Sequence, residues 1–70
     1  MKEFVVNHVF DLRKKKGVTQ EEFGGVVGVT RQTVIAIEKG NYTPSVLLAI
    51  KIARYFRKPL EEVFVFHYEK

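Results

Sequence analysis

Residues 19–38 read TQEEFGGVVGVTRQTVIAIE, and this stretch decides the fold. Thr19 followed three residues later by Glu22 is a capping box, the strongest local signal for a helix start. Gly28 then closes that helix, and Thr30 opens another in which Val34 and Ile37 recur at helical spacing, with Ile35 beside them. Two helices joined by Gly28-Val29-Thr30 make a helix-turn-helix over residues 19–38. One feature resists this reading. Gly24 and Gly25 lie side by side inside the first helix, where each costs roughly 1 kcal/mol relative to alanine. Gly24 follows the buried-type Phe23 and falls on the inner face, where the second helix must cross closely. Gly25 and Val26 fall on the outside, so Gly25 has no packing reason and weakens its helix.

The flanks continue in short blocks punctuated by Gly17, Gly40, Pro44 and Pro59. Asn7 to Lys16 forms a helix with Val9 and Leu12 inward and Arg13 to Lys16 on its last turn, where the helix dipole favours cations. Pro44 and Ser45 open a fourth helix, whose expected buried face carries Val46, Ala49, Ile50, Ala53 and Phe56. Pro59 is suited to the first position of a fifth, with Glu61 and Glu62 in its first turn. The ends differ. Glu3 to Val6 and Val63 to Tyr68 are β-branched and aromatic, and the second alternates with period two. Neither can form a hairpin with its sequence neighbour, so the two strands pair across the chain ends. The fold expected is mainly α: five helices with a short antiparallel strand pair, in one domain over residues 1–70.

Seventy residues hold one small core, which usually needs help from a partner subunit, a metal or a disulfide. Cysteine is absent, which removes disulfides and thiolate sites, and His8 and His67 lie too far apart in sequence to suggest a metal cluster. Oligomerisation is the remaining support. Twelve basic against eight acidic residues give +4, a weak pointer to nucleic acid. No apolar run approaches the roughly 18 residues of a membrane span, and no signal-peptide pattern opens the chain. The expectation is a soluble cytoplasmic protein with no membrane role. No nucleophile–base set, paired acids or phosphate loop points to an enzyme, and no cofactor is implied.

The runs LRKKKGVTQEEF (12–23), GVTRQTVIAIEKGNYTPS (28–45), AIKIARYF (49–56) and PLEEVF (59–64) resemble the Cro and phage-repressor helix-turn-helix family of transcription regulators. The terminal strands are similar to those of its small dimeric cytolysin-operon repressor type. The resemblance implies a dimer that inserts the third helix into the DNA major groove. By position, it assigns base reading to Arg31, Gln32, Thr33 and Ala36. Backbone or flanking contacts fall on Thr19, Gln20, Lys39, Asn41, Tyr42 and Thr43. Arg13 and Glu38 become a structural ion pair joining the first helix to the end of the third.

The chemistry of these residues agrees with such roles. Arginine offers a fork of donors to guanine O6 and N7; glutamine can donate and accept together, as adenine N6 and N7 require. Unpaired N–H groups at helix N-termini suit phosphate oxygens. The sequence departs from the family at Gly24, usually alanine, and at Gly25 and Ile35, usually polar. Two readings stand for Ile35: contact with a thymine methyl, or cover for the flank of the fourth helix. One recognition helix reads about four or five base pairs, a match expected roughly once per thousand random sites and so too common to single out one site in a genome. A homodimer on a palindromic operator answers this. Its interface is expected among Phe64, Val65, Phe66, Tyr68 and Leu47, with Phe10 and Tyr55 as further apolar candidates; for Leu47, packing within the chain is an equal reading. A repressor is therefore the leading reading. The alternative is a protein-interaction module, such as an antitoxin, that also binds DNA.

Overall fold

The computed structural model describes residues 2–69. In chain order it comprises strand β1 (Lys2–Asn7), helices α1 (Val9–Lys16), α2 (Gln20–Val27), α3 (Arg31–Lys39), α4 (Val46–Phe56) and α5 (Leu60–Val63), and strand β2 (Phe64–Glu69). The fold is thus five helices with a two-stranded antiparallel ribbon made from the chain ends.

Helix boundaries follow local chemistry. The Thr19 hydroxyl accepts from Glu22 N (3.0 Å) and the Glu22 carboxylate from Thr19 N (2.9 Å), completing the capping box. That Thr19 backbone donor, with the Thr19 side chain, lowers the Glu22 pKa from its ordinary value. The associated stabilisation is therefore present above the unfolded pKa and lost as pH falls through the folded one. Thr30 and Ser45 cap α3 and α4 through bonds to Thr33 N and Leu48 N. Gly17, Gly28 and Gly40 end the first three helices in the left-handed region, which favours glycine.

Val9, Phe23, Val27, Val34, Ile37, Leu48, Ile52, Ala53 and Val63 form one core. Tyr55 and Phe56 pack against it, and their rings and that of Phe23 stand 5.2–5.5 Å apart. Tyr55 is therefore half-buried and packed against the core of its own chain.

Several boundaries and faces differ from the sequence reading. Asn7 ends β1 and does not begin α1: its side-chain oxygen accepts from Val9 N at 3.1 Å, a turn that separates strand from helix. Val63 is the last residue of α5, buried in the core, and β2 starts at Phe64. Pro59 caps α5 from outside its first turn. On α4 the expected stripe is rotated. Leu48, Ile52 and Ala53 are buried, whereas Val46 and Ile50 are 75% and 41% exposed. The physical reason is that VLLAIKIARYF is apolar nearly all round, so two overlapping stripes satisfy helical spacing and only the neighbouring helices choose between them.

The paired glycines separate cleanly. A Cβ on Gly24 would meet Val29 O at 2.7 Å and Val34 Cγ2 at 3.2 Å, while a Cβ on Gly25 would meet nothing within 4 Å. Gly25→Ala should raise stability by about 0.5–1 kcal/mol. Gly24→Ala should lose that gain, because the turn backbone must shift to admit the methyl. Thermal melts of the two variants test this; equal stabilisation by both would contradict a tight α2–α3 crossing.

Candidate functional site

Gly28, in the left-handed region, turns the chain sharply after α2, and Thr30 restarts it as α3. Val34 and Ile37 face inward and are buried, which leaves the first turn of α3 turned outward. Arg31 and Gln32 are exposed there. Thr33 is half-buried, and its hydroxyl lies 3.1 Å from that of the Thr30 cap, so part of its bonding capacity is already used. Ala36 is half-buried one turn on, as is Ile35 beside it. Lys39, Asn41, Tyr42 and Thr43 are all exposed at and beyond the end of α3.

Between the N-termini of α2 and α3 lies an open depression of about 530 Å³ lined by Arg13, Thr19, Gln20, Glu21 and Arg31. The Arg31 guanidinium and two helix starts make most of this surface favourable to an anion; the Glu21 carboxylate opposes it.

Behind the depression lies a buried polar network. Arg13 Nε donates to Glu38 Oε2 at 2.6 Å and Nη2 to Glu38 Oε1 at 3.2 Å, with the side chains only 8% and 5% exposed. Arg13 Nη1 donates to Val18 O at 2.9 Å, and Gln20 Nε2 to Glu38 Oε1 at 3.1 Å. Every buried side-chain nitrogen and oxygen among the described residues has a partner. The network joins the end of α1, the start of α2 and the end of α3. Gln20 is consequently half-buried and fixed, with one donor spent inside the protein.

The apolar residues singled out in the sequence do not form one surface. In the ribbon, Glu3, Val5 and Asn7 stand opposite Tyr68, Phe66 and Phe64, while Phe4 and Val6 stand opposite His67 and Val65. Opposed residues share a face, so Val65 lies with Phe4 and Val6, away from Phe64, Phe66 and Tyr68. The Phe4 ring stacks on His67. Phe64 is half-buried against the core, whereas Phe66 and Tyr68 are 65% and 49% exposed. Leu47, 69% exposed, borders a different hollow formed by the helix-turn-helix turn, Tyr42 and Lys51. Phe10 lies under the Arg13 and Lys14 cations.

One bond had no local sequence signal. Asn7 Nδ2 donates to Ile37 O, thirty positions away, at 2.8 Å.

The helix-turn-helix family profile matches residues 9–63. This chain belongs to that family. Among relatives of the helix-turn-helix chain, the uncharacterized HTH-type transcriptional regulator YgzD of Bacillus subtilis is 57% identical over 58 residues, covering 83% of this chain and 88% of YgzD. The cryptic phage CTXphi transcriptional repressor RstR of Vibrio cholerae is 34% identical over 53 residues, 76% of this chain and 48% of RstR. Among solved structures, the restriction-modification controller protein C.AhdI of Aeromonas hydrophila superposes with a TM-score of 0.69 at 28% identity, covering 77% of this chain and 78% of C.AhdI. YgzD and RstR thus carry the names of a transcriptional regulator and a transcriptional repressor. Among the described residues, no helix is long and apolar enough to cross a membrane.

Proposed function

We propose that this helix-turn-helix regulator is a cytoplasmic repressor that binds a palindromic operator in double-stranded DNA as a homodimer, with α3 in the major groove. The observation that carries this reading is the outward first turn of α3, where Arg31 and Gln32 stand free while the rest of the helix is anchored by Val34, Ile37 and Glu38. Arg31 and Gln32 have the donor and acceptor patterns to read bases. Ala36 and Thr33 have the small size to let bases or thymine methyls approach. Thr19, Gln20, Lys39, Asn41, Tyr42 and Thr43 flank that surface and take the phosphates on either side. Repression follows from occupancy alone, and the relation to RstR supports it.

Two recognition helices about 34 Å apart on one DNA face are needed to read a palindrome. For the dimer contact we favour the ribbon face of Phe66 and Tyr68 over Leu47 and Val65, which lie on other surfaces.

Selection of bound sequences from random DNA tests the whole reading, because it returns both the half-site and its spacing. Arg31→Ala should then weaken specific binding by roughly 1–3 kcal/mol and relax preference at one base pair per half-site. Lys39→Ala should instead weaken all sequences alike and reduce the salt slope by about 1 per half-site. If both variants lose specific and random DNA equally, Arg31 is not a base reader.

A further inference from the structure

We infer that Asn7 is a positioning residue that holds the terminal ribbon and the recognition helix at a fixed relative orientation. The inference rests on the dimeric DNA-binding reading above. Asn7 is the last residue of β1, paired with Phe64 at the first position of β2. Its side chain spans two elements. Oδ1 accepts from Val9 N at the start of α1 (3.1 Å), and Nδ2 donates to Ile37 O in the last turn of α3 (2.8 Å). Beside it, His8 N donates to Val63 O at 2.9 Å, locking the ribbon root to the end of α5.

Ile37 O is one of the carbonyls that a helix C-terminus leaves without an intrahelical partner. The chain supplies Gly40 N at 3.0 Å, and Asn7 supplies the second donor from a distant strand. Ile37 is itself fully buried, so its backbone cannot turn to water for a substitute. A shift of the ribbon relative to α3 must therefore break this bond or carry α3 with it. In a dimer held through the ribbon, that constraint sets the angle and separation of the two recognition helices. Reading one half-site needs only α3; reading two at a set spacing needs the tie as well.

Two variants separate the donor from the acceptor. Asn7→Ser keeps an oxygen for Val9 N but cannot reach Ile37 O. Asn7→Asp keeps the shape and the acceptor, and sets a carboxylate oxygen against the carbonyl. Each is compared with the parent for oligomeric state by sedimentation and for affinity to a palindrome, a half-site and palindromes respaced by one base pair. Binding is read where circular dichroism shows each variant folded, and Asn7→Ser alone decides if Asn7→Asp does not fold. Both variants should stay dimeric and hold a half-site within about threefold of the parent, while losing about tenfold or more on the palindrome. Their preference between spacings should flatten. A parent that prefers the palindrome, beside variants that keep the same palindrome-to-half-site ratio, ends the role of Asn7 alone. A parent that binds half-site and palindrome equally ends the dimeric reading and this one with it.

Discussion

Arg13→Met should lower the unfolding free energy by about 3–5 kcal/mol, the range for removing one partner of a buried ion pair. Small domains have only about 5–15 kcal/mol in total, so the melting temperature should fall steeply. The reason is what stays behind. The Glu38 side chain, 5% exposed in the parent, keeps Gln20 as its one side-chain donor among the described residues, and Val18 O loses the Arg13 Nη1 bond. Methionine fills much of the volume, so the loss reports the stranded charge more than a cavity. Replacing Glu38 by leucine as well should recover a large part of the loss, since an apolar pair leaves no unmatched carboxylate. Chemical denaturation of the single and double variants measures both. The preferred bases should not change, because Arg13 is buried and bonds inward. Altered base preference without loss of stability would move Arg13 onto the DNA surface.

The second large effect concerns the ribbon. Deleting Val65 to Lys70 should shift the protein towards monomer and weaken palindrome binding by about a hundredfold or more, with a far smaller loss on one half-site. Phe66 and Tyr68 are exposed on the same ribbon face as Val5, next to a small apolar hollow of Val5, Pro44, Ala49, Leu60 and Phe64. Val46 and Ile50 are exposed three residues before and one residue after Ala49 on α4, so apolar side chains continue from the hollow onto that helix, the kind of surface that a partner covers. Around a two-fold axis the same patch covers itself. The deletion leaves Val63 in the core, and Phe66→Glu offers a milder version that adds charge to an exposed position. Sedimentation with DNA titration gives the outcome. A tightly dimeric truncation with normal palindrome affinity would move the interface to α5 and the end of α4.

The residues of 19–38 made the helix-turn-helix legible without any structure, because the capping box, the turn glycine and the second cap are local chemistry. Gly24 and Gly25 could also be told apart, since helical spacing alone sets which one faces the crossing helix. The outward position of Arg31 and Gln32 follows from the same spacing, as Val34 and Ile37 fix the inner face. The pairing of the chain ends followed from alternation and from the lack of any nearer strand. Local pattern could not choose the buried face of α4, where apolar residues run nearly all round and the neighbours decide between Leu48–Ile52 and Val46–Ile50. Nor could it choose the ribbon register, which puts Val5 opposite Phe66 and Val6 opposite Val65. The bonds from Gln20 to Glu38 and from Asn7 to Ile37 O join residues 18 and 30 positions apart. Spacing encodes what a residue does within its own helix or strand; which distant carbonyl or carboxylate it meets is settled only when the elements pack.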